Sequence, residues 1–450
     1  MSIRCSFHHG HRVLSMACFL YHLVVDFQTQ NTPSSHPEQR RLDGNLMPSK
    51  KGLSYLREMG PAWIISAVAC GPATLASVSI AGSTYGYAFL WVVILSAVFG
   101  ATAQYLAARV GILEGRGIIS ATERRLGRFW AWILALDAVV ATYIAAMVLM
   151  NALVGVTGLA TGLSTPWWGI PYALLITLGL VLGGYRWFEN ACKLLVCFVV
   201  LCFIITVFQA DIRPAQLASG LIPTFPGGMG SALMGAAIMG GAVHITIIGM
   251  HTYNVNARGW KKKDLPLARF DNALSMGAAF GIYSLAIYLV AASVLHPAGV
   301  KVARAADAAL GLGPLLGKMA MATFLLGLWG ATLSTISPTF LAGAYFIFDK
   351  MGWDRERQRK RFGGIILLGA LLSATGPFLK GGFFLLLPVM LALGLCGTPL
   401  ILAIILYMLN RREIAGADRN SFILNLLGVL TLLVTTVLAA RFILSKVGLL

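Results

Sequence analysis

About eleven stretches of this 450-residue chain stay apolar for about 18 residues or more, enough for a helix to cross the ~30 Å hydrocarbon core of a bilayer. They fall near 61–81, 87–108, 130–150, 168–184, 191–210, 231–257, 272–295, 317–347, 363–378, 381–409 and 421–444. With 58% hydrophobic and only 12% charged residues, the chain is too apolar for a soluble domain of this size. The expected class is an all-α polytopic membrane protein.

Two of these stretches are interrupted midway, at Gly71-Pro72-Ala73-Thr74 and at Gly240-Gly241-Ala242-Val243-His244-Ile245-Thr246. Backbone groups released by a helix break cost several kcal/mol each in hydrocarbon, so a break survives only where it lines a protein cavity or an ion. Paired breaks in corresponding places of two halves point to the substrate site of a secondary transporter.

The formal charge of +18 does not signal nucleic acid, because the basic residues sit in alternate loops. Lys50, Lys51 and Arg57 precede the first span; Arg109, Arg116, Arg124, Arg125 and Arg128 follow the second; later clusters are Arg186 and Lys193, Arg258 with Lys261–Lys263, Lys350 to Arg361, and Arg411 to Arg419. The positive-inside rule then gives a multi-pass protein of the cell (inner or plasma) membrane with a cytoplasmic N-terminus. Lys301, Arg304 and Lys318 run against the pattern. The expected partners are the lipid bilayer and a small inorganic ion, with no nucleic acid and a monomeric state.

Seven cysteines without CxxC spacing, mostly within spans, argue against a disulfide framework. Residues 1–49 do not match the rest and are expected to be a disordered leader or a mis-assigned start, with Met47 opening the working protein. The transporter core is expected over 50–410, as spans one to five at 61–210 and six to ten at 231–409, with an additional C-terminal span in 411–450.

Gly60-Pro-Ala-Trp-Ile, the break at Gly71, Gln104 to Arg116, Gly184 to Glu189, Gly220 to Pro226 and Leu341-Ala-Gly343 occur in an order that resembles the NRAMP family of proton-coupled divalent-metal transporters. The resemblance implies a leucine-transporter-like fold, an inverted repeat of five plus five helices in which helices one and six are broken. It also implies that the first break should read Asp-Pro-Gly-Asn and the second Met-Pro-His, with a Gln in span ten. Here Gly71 stands at the Asp, Thr74 at the Asn, His244 at the Met, Ile245 at the Pro and Thr246 at the His, and the span-ten stretch Leu387–Gly394 has no Gln. The Gly241 carbonyl stands where the family uses a backbone donor.

Losing the carboxylate removes the strongest attraction for a divalent cation, and losing the Met sulfur removes the soft ligand. Two half-helix N-termini with positive dipole ends remain, together with the hydroxyls of Thr74 and Thr246 and the imidazole of His244. The sequence therefore leads to a small anion, bicarbonate first, bound by Gly71, Ala73, Thr74, Gly241, His244 and Thr246. The alternative is a divalent or soft metal cation held in part by Cys70 and His244. If the site is otherwise family-like, Gly71→Asp is expected to raise divalent-cation affinity.

For coupling, the candidates are Asp137, an intramembrane acid, and His251, which matches a family histidine linked to proton movement. Ser334 and Thr335 align with a family Ser pair and are candidate oxygen ligands for Na+, the possible coupling ion. No enzyme is expected, since the chain has no HExxH, no GxSxG and no paired intramembrane acids.

Overall fold

In the computed structural model, which describes residues 59–182, 214–310, 320–379 and 381–449 with isolated positions at 190, 194, 205, 207, 208 and 212, the first span is two helices. They are α1 (Pro61–Ala69) and α2 (Pro72–Tyr85), bent by 44° at Cys70-Gly71. The local cause is Pro72, which supplies no N–H and drives Gly71 to an extended ψ of −178°.

The second span is α3 (Leu90–Glu114), followed by a short α4 (Ile118–Leu126) and the long α5 (Arg128–Thr161) as span three. A shorter apolar helix, α6 (Pro166–Leu182), is the described part of span four. Span six is again double, α7 (Met229–Ala242) and α8 (Ile245–Arg258), with Val243 out of the helix and His244 extended between them. Then come α9 (Lys262–Leu295), α10 (Ala320–Met351), α11 (Arg359–Ser373), α12 (Phe383–Cys396), α13 (Thr398–Asn410) and α14 (Phe422–Lys446). Most of the expected span at 191–210, the motif at 184–189, Lys318 and the expected leader lie outside the described residues.

Eight of the described helices are long and apolar enough to cross a membrane, nine when α1 and α2 count as one. Burial orders them from centre to rim. Broken span six is 94% buried, whereas α14 is 28% buried and presents Phe422, Ile423, Leu433 and Val437 outward while Gly428, Thr431, Thr435 and Phe442 face inward. An apolar rim around a helical core is what lipid as solvent requires. By contacts, everything above belongs to one unit that opens at Gly60.

The basic end of the bundle is held by buried or half-buried carboxylates. Asp271 of α9, fully buried, accepts from the Gly60 and Ala62 N–H groups at 3.2 and 2.9 Å and so caps α1 from outside. Asp349 of α10 does the same for α4, accepting from the Ile119 and Ser120 N–H groups at 3.1 and 3.0 Å and from the Tyr253 hydroxyl at 2.8 Å. Glu114 pairs with Arg124 and Arg125 at 2.7 and 2.9 Å, Lys350 with Glu123, and Arg109 donates to Asn420 and the Asp418 carbonyl.

Candidate functional site

The two breaks meet. A Cβ built on Gly241 would stand 2.6 Å from Thr74 Oγ1, so Thr74 of α2 lies against the last turn of α7 and glycine is what admits it. Ala73, Thr74, His244 and Thr246 are all buried. Four of the six substrate-site candidates, Gly71, Ala73, Thr74 and Gly241, thus flank the junction of α2 and α7, and His244 and Thr246 open the facing half-helix α8.

At the first break, the Gly71 carbonyl accepts from Leu75 N at 3.2 Å and from the Tyr283 hydroxyl at 3.4 Å, and Cys70 Sγ sits 3.9 Å from Ser66 Oγ. Thr335 of α10 reaches this break: its hydroxyl lies 3.4 Å from the Ala67 carbonyl and 2.8 Å from its own Ala331 carbonyl. Ser334 instead bonds back to Ala331, so the two aligned hydroxyls part company. Gly71 itself is walled in, since a Cβ there would stand 2.3 Å from Thr335 Oγ1 and 2.8 Å from the Val68 carbonyl. The expectation that Gly71→Asp simply adds a ligand is corrected by that crowding.

At the second break no proline intervenes, and the non-helical Val243 is held from α13, where the Thr398 hydroxyl lies 3.1 Å from the Val243 carbonyl and 3.2 Å from the Gly394 carbonyl. Thr246 Oγ1 is 3.0 Å from Thr142 Oγ1 of α5, and Thr142 also donates to Ala138 O at 2.6 Å. A hydroxyl has one proton. Thr142 spends its proton on Ala138, so Thr246 donates to Thr142 and has only lone pairs left to offer.

His244 caps α8 as an extended residue, makes no side-chain hydrogen bond among the described residues, and lies over Gly394 of α12. Asp137 of α5 is half-buried, also without a hydrogen bond or ion pair among the described residues, and its carboxylate lies on the Gly397 backbone. His251 is fully buried deeper in α8, its Nδ1 3.1 Å from Gln104 Oε1, while His251 Nε2 and Gln104 Nε2 both go without partners. For the Gln104 oxygen to accept, Nδ1 carries the proton and Nε2 is a bare acceptor. Among the described residues no group of three His, Cys, Asp or Glu gathers to hold a metal, so Cys70 and His244 alone form no closed site.

Sequence reasoning missed Thr142, Thr398 and Gly397. The run Cys396-Gly397-Thr398-Pro399 was the available signal, because Gly and Pro two residues apart punctuate a helix even where its course continues.

A family model described as Nramp, natural resistance-associated macrophage protein-like, matches residues 62–445. The chain belongs to the Nramp family. Among its relatives, the divalent metal cation transporter MntH of Verminephrobacter eiseniae (strain EF01-2) is 28% identical over 422 residues, covering 89% of this chain and 92% of the relative. MntH of Yersinia pestis (strain Pestoides F) is 32% identical over 324 residues, 68% of this chain and 75% of the relative. Of solved structures, the Eremococcus coleocola manganese transporter mutant H236A superposes with a TM-score of 0.73 at 15% identity, covering 90% of this chain and 93% of that one. Mhp1, a nucleobase-cation-symport-1 family transporter in a closed conformation, gives 0.55 at 17% identity over 86% and 93%. These Nramp-like neighbours share the leucine-transporter-like fold with broken helices one and six, as expected from the sequence. This chain is a multi-pass membrane protein of a transporter family.

Proposed function

We propose that this Nramp-family chain is a secondary-active transporter of a divalent or soft metal cation, with a selectivity altered by the loss of the first-break carboxylate. The observation that carries the reading is the Thr142–Thr246 pair: with its proton given to Thr142, Thr246 faces a substrate as an acceptor, which suits a cation and not an anion. The relatives named as divalent metal cation transporters support the same choice. It departs from the bicarbonate reading, in which Thr246 is a donor.

In this reading the His244 imidazole, the Gly241 carbonyl and the oxygens of Thr74 and Thr246 surround the ion, with Gly71 and Ala73 shaping the wall. Imidazole and carbonyl together suit manganese, iron or zinc better than calcium. Coupling belongs to a cation. Thr335 with the Ala67 carbonyl offers hard oxygens for Na+ at the first break. The Gln104–His251 pair is the group for a proton route.

A small anion remains as a second reading on one observation, the two half-helix N-termini at Pro72 and Ile245 with no carboxylate beside Gly71. Proteoliposome uptake decides between them. Concentrative uptake of manganese or zinc driven by a proton or sodium gradient, and no uptake of labelled bicarbonate, is the expected result; bicarbonate uptake without metal uptake rejects the metal reading.

A further inference from the structure

Span ten carries two glycines three residues apart, Gly394 and Gly397, and each is covered by one side chain from elsewhere in the bundle. A Cβ on Gly394 would meet His244 Cβ, Cγ and Nδ1 at 3.3, 3.4 and 3.5 Å. A Cβ on Gly397 would meet Asp137 Oδ2 at 2.2 Å and Cγ and Oδ1 at 2.7 Å, so the carboxylate rests directly on the backbone there. Gly397 has φ −80° and ψ −12°, within the right-handed helical region, so helical phase carries on from α12 through this residue. Positions i and i+3 share a helix face about 5–6 Å apart. The imidazole from the second break and the carboxylate from span three therefore lie on consecutive turns of one face, next to the Val243 carbonyl that Thr398 holds against it.

We propose that this glycine face of span ten seats the transported cation between the His244 imidazole and the Asp137 carboxylate, so that span three supplies the negative charge that Gly71 does not. The proposal rests on the metal-cation reading above and names its ligand pair. Both side chains lack a hydrogen bond or ion pair among the described residues, and His244 is only 7% exposed. An ionisable group held in a membrane span without a protein partner marks a functional site by default. An imidazole nitrogen and a carboxylate oxygen are a donor pair for manganese, iron and zinc. No third His, Cys, Asp or Glu joins a cluster among the described residues, so carbonyl oxygens and water complete the shell. The Cys396 thiol beside Gly397 turns back to its own helix, donating to the Ala392 carbonyl at 3.3 Å.

The test is isothermal titration of the purified full chain with manganese, zinc and cadmium, beside the melting temperature of the metal-free protein. Asp137→Asn is expected to weaken manganese binding at least tenfold with the metal-free melting temperature held within a few degrees. Asp137→Cys is expected to raise the cadmium-to-manganese affinity ratio at least tenfold, a gain that misfolding cannot imitate. If both variants bind all three metals as the wild type does, the Asp137 assignment is overturned while metal transport stands. If the wild-type protein binds none of the three metals, both fall.

Discussion

At the scale of single residues, the site is governed by where each proton and each Cβ can go. Thr246 illustrates the first: residue type makes it a donor or an acceptor, and because Thr142 one helix away gives its proton to the Ala138 carbonyl, Thr246 is left to donate to Thr142. Gly71 illustrates the second. Gly71→Asp places a Cβ 2.3 Å from Thr335 Oγ1, and overpacking of this kind costs about 1–3 kcal/mol, so the single variant should melt lower without a gain in manganese affinity. Adding Thr335→Ala opens that side of the wall, and the double variant should then bind manganese more tightly than the wild type by titration. Equal affinity in the single and double variants would show that crowding by Thr335 is not the obstacle.

At the scale of elements, the two breaks have different origins. The first is local, Gly71-Pro72 ending one helix and starting the next. The second has β-branched Val243 and Ile245 on either side of His244 and no proline, and its non-helical Val243 is tied by the Thr398 hydroxyl. Thr398→Val is isosteric, and leaving a buried carbonyl with one bond fewer costs about 1–3 kcal/mol. The variant should show a lower melting temperature in detergent and faster amide exchange at residues 243–246, while residues 70–73 are unchanged. The helix starts on the basic end depend on tertiary caps in the same way. Asp271→Ala uncaps α1, at a cost of about 0.5–2 kcal/mol for a lost cap, and exchange should quicken at Gly60 and Ala62 first.

At the scale of the whole molecule, four acids gather on the basic end of the described bundle. Asp271 and Asp349 cap α1 and α4, and Glu114 and Glu123 pair with the arginines and lysine around α4. Together they fasten span one, span six, span eight and α4 at one end. Asp349→Ala releases three hydrogen bonds at once, from Ile119, Ser120 and Tyr253, and should increase labelling of a cysteine introduced at Ser120 by a water-soluble thiol reagent. Unchanged labelling would mean that this carboxylate does not hold that end shut. Arg304, which with Lys301 runs against the charge pattern, has a partner in Asp307, whose carboxyl accepts from the Ala303 and Arg304 N–H groups and pairs with Arg304 at 3.3 Å.

The sequence by itself determined that this chain spans a membrane repeatedly and where most spans run, because length and apolarity in hydrocarbon leave only helices possible. It also determined the first break, since proline acts on its own backbone and the residue before it. Family resemblance carried the fold. Only the tertiary structure decided which hydroxyls face the pocket, that Thr335 reaches the first break while Ser334 does not, and that Asp137 and His244 share one glycine face of span ten. Hydrogen-bond direction and side-chain proximity depend on residues brought together from 100 or more positions away, as with Thr142 and Thr246 at a separation of 104, and local sequence holds no record of that pairing.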